Sequence, residues 1–320
     1  MAFNIGEMSP SQLDKYIKGW GAKGAEVIDT NMQAGSLLES AFPAVSAETE
    51  RAEFFVTAGN PGLMGVALDG AVDSTKWEYK RLYVDLDWDK FQYRIPDSTR
   101  TKIKVDRLAG DGNSAALKFF GAVRTYEIIT ALKAGNNSNC THGASAYWNA
   151  AAGNAEGDIM QAVEGIVRYS GIDMSKHKFG VLYPSKVLRG LKELDLIHNV
   201  TQRLEEYLSA MFSTSSGGGI TFYPFTPYMD SAGNQYLDAH NETSSDALST
   251  SALVFVEGPT TLKSFKYAPG DIPMTETSRV HDSGWITTLR HCFGCKVVPM
   301  FDKTNWTTTP LIYEITGVSA

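Results

Sequence analysis

The stretch that most constrains this chain covers residues 113–133. No proline interrupts it, Asn113 or Ser114 offers an N-cap oxygen, and Gly135 follows as a stop before Asn136, Asn137 and Ser138. The pattern predicts one helix roughly 30 Å long. Leu117, Phe120, Val123, Tyr126, Ile129 and Leu132 recur at every third position. On a helix of 3.6 residues per turn, such a stripe rotates by about 60° per step. It winds round the axis, as in a spine that meets different neighbours at different heights. The same residues also suit an ordinary core helix with a broad apolar face.

Residues 76–95 carry the opposite rhythm. Trp77, Tyr79, Arg81 and Tyr83 alternate with Glu78, Lys80, Leu82 and Val84, and Phe91, Tyr93 and Ile95 continue the beat. Period two predicts a long strand pair with two unlike faces, neither cleanly polar nor cleanly apolar. Such a hairpin either projects and is completed by a partner, or lies at a sheet edge with amphipathic tyrosines. Aromatics anchor protein interfaces. Trp77, Tyr79, Tyr83, Trp88, Phe91 and Tyr93 are therefore candidate inter-subunit contacts.

Residues 1–50 are poor in core formers. Ser9 and Pro10 open a short helix with Leu13, Tyr16 and Ile17 on one apolar edge, and a second helix is expected over residues 25–42. This is either an arm that packs on another chain or a helical subdomain on its own body. Leu13, Tyr16 and Ile17 join the candidate contacts.

Beyond the spine lies a small-residue loop with Tyr147 and Trp148. Ile159, Met160, Ala162, Val163, Ile166 and Val167 then predict an amphipathic helix ended by Gly171. A strand over 179–183 and a helix opened by Pro184 and Ser185 follow, then a helix over 200–212. Strands are expected at 220–225, 228–237, 252–256, 262–267, 285–292, 296–300 and 311–315. Residues 213–219 and 240–251 read as mobile loops.

The net charge of −7 and the pI near 5.4 argue against a general nucleic-acid binder, which needs a basic face. The longest clean apolar run, residues 252–256, is far too short for a bilayer, so no membrane partner is expected. The first seven residues lack a basic and an apolar signal region, and the expectation is a protein not exported by a classical route. Three cysteines, Cys140, Cys292 and Cys295, do not suggest a disulfide framework.

Cys292 and Cys295 with His291, and Cys140 with His142, have the residue types of a zinc site, but the second pair has the wrong spacing, Gly294 reads as a turn between two strands, and buried free cysteines are common. Asp85, Asp87 and Asp89 alternate as in a calcium loop, yet Lys90 and Pro96 stand where glycine and glutamate belong. Gly59, Gly62 and Gly65 match neither a P-loop nor a dinucleotide fingerprint. His281, Asp282 and Ser283 are adjacent in sequence, which is not triad geometry. No catalytic, cofactor or metal residue is assigned, and the chain does not read as an enzyme.

The order of parts is arm, two-faced hairpin, spine helix, α/β lobe and returning strands. Its most specific section runs from Trp148 through Asp158, Ile159 and Ala162, Gly171, Pro184 and Ser185 to Val187, Leu188, Leu191 and Lys192. Ala252, Leu253, Val254 and Phe255, then Arg290, Phe293, Gly294, Val297 and Val298, close it. This order resembles the HK97-fold major capsid proteins of tailed bacterial or archaeal viruses, a fold shared with encapsulins. The resemblance implies an α+β fold: an N-terminal arm over residues 1–52, an extended hairpin loop over 53–96, and a peripheral domain with the spine helix over 97–154. An axial α/β domain over 155–265 and return strands over 266–320 complete it.

The function implied is a structural protein that self-assembles into hexamers and pentamers of an icosahedral shell around double-stranded DNA. The alternative is an encapsulin-type nanocompartment enclosing a cargo enzyme. Other copies of the chain would be its main partners. Portal, scaffold and decoration proteins and DNA held without sequence specificity would be the others. Its place would be the virion capsid, after synthesis in the host cytoplasm.

Overall fold

The structure is a computed structural model. It describes residues 37–59, 77–95, 105–150, 152–187, 208, 218–225, 248, 250–267, 274–280, 284–300 and 306–319. The expected short helix at Ser9 with Leu13, Tyr16 and Ile17, most of the helix over 200–212, the strand over 228–237 and the His281–Ser283 cluster lie outside the described residues, apart from Leu208.

The spine is α1, Val105–Ala134, a helix of 30 residues that begins eight residues earlier than its sequence pattern suggested. Gly110 and Gly112 are poor helix formers. Gly112 is accommodated because the ring of Tyr93 packs where a Cβ would stand. Phe120, Val123, Tyr126, Ile129 and Leu132 of the winding stripe are all buried, joined by Ala116, Phe119 and Ile128 from the neighbouring rows. The neighbours do change with height. Phe119, Phe120 and Val123 pack with Leu289, Phe91 and Tyr93, whereas Tyr126, Ile128, Ile129 and Leu132 join a cluster that takes in Leu182, Leu253 and Phe255 as well as Phe293 and Val297. Gly135 follows the helix without a positive φ. It is needed because the Val297 side chain occupies the space of a Cβ there.

The expected strand pair over 76–95 is not one hairpin. Its first half, β3 (Trp77–Asp85), pairs antiparallel with β2 (Arg51–Gly59), from Arg51 opposite Asp85 to Gly59 opposite Trp77. Its second half, β4 (Asp87–Ile95), lies along β11 (Gly284–Val297). The single residue Leu86 separates the halves, so one strand leaves a two-stranded ribbon and enters a sheet. β1 (Ala44–Ser46) pairs parallel with β9 (Leu262–Lys266), which is antiparallel to β11, as is β10 (Met274–Val280).

The two late strands expected around a Gly294 turn are thus one 14-residue strand, β11. Gly294 does not turn. A Cβ there would stand 2.7 Å from the Asp85 carbonyl oxygen and 2.9 Å from Leu86, so glycine lets the corner at Leu86 cross β11 closely.

The second sheet runs β5 (Thr141–Gly143), β12 (Ile312–Thr316), β8 (Ser251–Val256), β6 (Lys178–Pro184) and β7 (Gly219–Phe225). Every residue of β8 is buried, as a strand covered on both faces requires. Ala252, Val254 and Val256 point to α2 (Ala155–Ser170), where they meet Ile159, Ala162, Val163 and Ile166. Leu253 and Phe255 point the other way, to Tyr126, Ile129 and Leu132 of α1 and to Leu38 and Phe42.

Asn154 caps α2 by accepting from the Gly157 N–H at 3.0 Å, and Gly171 ends it in the left-handed region at φ 71°. Buried Asp158 accepts from the Trp148 indole N–H at 2.9 Å and from the Ser145 backbone N–H, which fixes the small-residue loop to the start of α2. The helix expected at Ser185 is a short 3₁₀ turn, Ser185–Val187, within the described residues. Residues 37–42, the end of the second expected helix, form turns whose Leu38, Ala41 and Phe42 belong to the body's core.

Candidate assembly surface

The β2–β3 ribbon has one closed face and one open face. Alternation sends Ala52, Phe54, Val56, Leu82 and Val84 inward, where they pack with Leu86, Phe265, Cys292 and Trp306. The opposite parity, Arg51, Glu53, Phe55, Tyr79, Arg81, Tyr83 and Asp85, faces outward. Tyr79 is 72% exposed, Phe55 59% and Tyr83 39%, whereas Phe54 next to Phe55 is 4% exposed. These outward side chains do not fold back into a core of the described chain.

They are nevertheless ordered against one another. Arg51 meets its cross-strand partner Asp85 at 3.1 Å and lies over the Tyr83 ring at 4.4 Å. Arg81 lies over its cross-strand partner Phe55 at 5.1 Å and reaches Glu53 at 3.5 Å. A side-chain hydrogen bond with Tyr83, followed by the Glu53 carboxylate, raises the pKa of Arg81. Cation–π stacking and ion pairing at such exposed sites add little stability, but they hold the rings and guanidiniums in fixed rows. The arrangement offers flat aromatic area flanked by paired charges of both signs, the make-up of an interface anchor. Lys296 on β11 donates to the Tyr83 carbonyl at 3.1 Å and ties the ribbon's root to the sheet.

The other sequence candidates stand elsewhere. Trp77 is the first residue of β3. Trp88 packs on the inner side of the ribbon's sheet: its indole N–H donates to Glu50 at 2.9 Å and its ring meets Tyr267 edge-on at 6.0 Å. Phe91 and Tyr93 lie under α1, Phe91 against Phe119 at 5.7 Å. Burial also pushes the Tyr93 phenol up. Leu13, Tyr16 and Ile17 fall outside the described residues. Sequence reasoning missed Phe55, Arg51, Glu53 and Arg81. The signal was present in the alternation: with Phe54 inward, Phe55 must point out.

The residues weighed for metal chemistry are not brought together. Cys140 is buried against α2's sheet, Cys292 lies under the ribbon, and Cys295 packs beside α1's cluster. Burial pushes the thiols up, Cys140 to about 11 and Cys292 to about 12, the opposite of what a thiolate ligand needs. Among the described residues no group of three or more His, Cys, Asp or Glu is placed to hold a metal ion, and no helix is long and apolar enough to cross a membrane.

No family model matches the sequence, and no curated protein does. Solved structures do match the fold. A structure of Mycobacterium phage Adephagia superposes with a TM-score of 0.60 at 13% identity, covering 88% of this chain and 90% of that chain. The capsid of a native GTA particle gives 0.57 at 12% identity over 88% and 90%. A virus-like particle from Pyrococcus furiosus gives 0.55 at 13% identity over 92% and 99%. The chain therefore has the HK97-like capsid fold, an α+β architecture, across nearly its whole length.

Proposed function

We propose that this chain is a major capsid protein, a structural subunit that associates with copies of itself into the hexamers and pentamers of an icosahedral shell around double-stranded DNA. The observation that carries the reading is the open face of the ribbon. On a fold shared with capsid structures, the two-stranded ribbon presents Phe55, Tyr79 and Tyr83 to solvent while Phe54, Val56, Leu82 and Val84 on its other face are packed. A copy of the same chain is the natural cover, since a closed symmetric lattice multiplies many modest contacts. The role is mechanical and not catalytic. Portal, scaffold and decoration proteins are its further partners, and the virion is its destination after synthesis in the host cytoplasm. Leu13, Tyr16 and Ile17 of the arm and Trp77 at the ribbon's outer end are proposed to join the contact.

Negative-stain electron microscopy of the purified chain tests the reading. Closed shells tens of nanometres across, or rings of five and six, are the expected result. A chain that stays monomeric even with the other shell components present contradicts it. Shells that consistently enclose one dominant protein and no DNA support the nanocompartment reading instead.

A further inference from the structure

A buried charged cluster ties three distant parts of the chain together and plays no part in the ribbon surface. Arg124 on α1 is 3% exposed. Its Nη1 donates to Glu39 Oε1 at 3.0 Å, in the turns over residues 37–42. Its Nε donates to Nε2 of His291 on β11 at 3.1 Å, and Nη2 faces the same nitrogen. The guanidinium also lies over the Phe293 ring at 5.4 Å. His291 is buried, with its ring against Phe120 at 5.4 Å and Phe293 at 6.1 Å.

A nitrogen that accepts from a guanidinium carries no proton. His291 is therefore neutral, with its proton on Nδ1, an atom that is buried without a hydrogen-bond partner among the described residues. We infer that Arg124, His291 and Glu39 form a proton-operated latch: protonating His291 removes the acceptor that orients Arg124, and so loosens residues 38–47 from the body.

The charges around the imidazole set the direction. Arg124 on α1 and Lys266 on β9 are positive. Asp89, directly opposite His291 on β4, and Glu39 are negative. Burial first, then Arg124 and Lys266, hold the His291 pKa well below the ordinary histidine value of about 6.5. Because the closed latch resists the proton, the open form takes it up first. The latch is at full strength above about pH 6.5 and weakens as the pH falls, by up to about tenfold per pH unit for one proton. Release concerns a defined segment. Leu38, Ala41 and Phe42 sit in the core beside α1, the Ala47 N–H donates to the Lys266 carbonyl at 2.8 Å, and Gly258 N–H donates to the Ala41 carbonyl at 3.0 Å.

Hydrogen exchange of the full chain, read by mass spectrometry from pH 8 to 5 and corrected for the intrinsic rate, tests the latch. Peptides covering residues 38–47 should lose protection by up to about tenfold per unit below about pH 6.5. Peptides from β8 should hold theirs. H291Q, whose amide oxygen still accepts from Arg124 but does not titrate in this range, should abolish the step. Protection of residues 38–47 that stays flat to pH 5 in the wild-type chain overturns the inference, as does a step that survives in H291Q. Should H291Q fail to fold, the wild-type profile still decides, because only a loss that starts below about pH 6.5 and is confined to this segment fits the imidazole.

Discussion

The β8 strand and the β2–β3 ribbon both carry phenylalanine, valine and leucine, and they reach opposite ends. In β8, Ala252, Val254 and Val256 meet α2 while Leu253 and Phe255 meet α1, so both parities are consumed within the chain. In the ribbon, Phe54 is consumed and Phe55 is not. The first arrangement stabilises the fold. The second leaves apolar area and aligned charge exposed, the surface proposed to meet another copy. Under the proposed assembly, a subunit needs one region of each kind, and here they lie apart: β8 in the middle of one sheet, and the ribbon joined through Leu86 to β4 in the other.

The contrast is sharpest at Phe255, which is fully buried between Gly180, Phe42 and Tyr223. Phe255→Ala should cost about 3–5 kcal/mol in chemical unfolding of the unassembled chain. Tyr79→Ala should change that same measurement by less than about 0.5 kcal/mol. A Tyr79 variant that destabilised the lone protomer as much would erase the distinction.

Phe54→Ala, on the closed face of the ribbon, should cost about 3 kcal/mol, because its single backing layer relaxes more readily than a sheet packed on both sides. Phe55→Ala one residue away should be nearly silent in the same denaturant curve, which makes the adjacent pair a direct comparison of the two faces.

Gly294→Ala should cost about 1–3 kcal/mol, since the new Cβ meets backbone at the Leu86 corner and that backbone cannot rotate away. Thermal unfolding reads the loss. Limited proteolysis in the ribbon should rise with it.

The thiols give a pH test of the closed regions. Cys140 and Cys292, pushed up to about 11 and 12, ionise first in the unfolded chain. Their contribution is complete below the ordinary thiol value of about 8.5, and stability declines as pH climbs above it. Alkylation of both at pH 8 should therefore await unfolding, and rapid labelling of the native protein would contradict their burial.

The smallest effect belongs to the open face. Arg51→Ala breaks an exposed pair and should cost less than about 1 kcal/mol, fading further in high salt.

Much of this was legible in the sequence where a single period decided the outcome. The winding stripe from Phe120 to Leu132 indicated a helix with changing neighbours, and the apolar run from Ala252 to Val256 indicated a strand. The ribbon's two faces were readable too, in the alternation of Tyr79 and Tyr83 with Leu82 and Val84. What the sequence concealed was pairing. Trp77 and Phe91 share one rhythm, but Leu86 turns the chain between them, so their strands belong to different sheets and Phe91 and Tyr93 face α1. Gly294 looked like a turn because a glycine required by a close crossing and a glycine required by a bend are the same letter. The Arg124–His291–Glu39 cluster was invisible for a similar reason. Its members are 85 and 167 residues apart, and no local pattern links them.

The most direct test of the central claim is sedimentation velocity of a Tyr79→Ala/Tyr83→Ala variant beside the wild-type chain under assembly conditions. The account predicts that the wild type sediments as closed shells while the variant, with an unchanged denaturant midpoint, remains as subunits or small rings. A variant that forms shells of wild-type size and stability would show that the open face of the ribbon is not where this protein meets its neighbours.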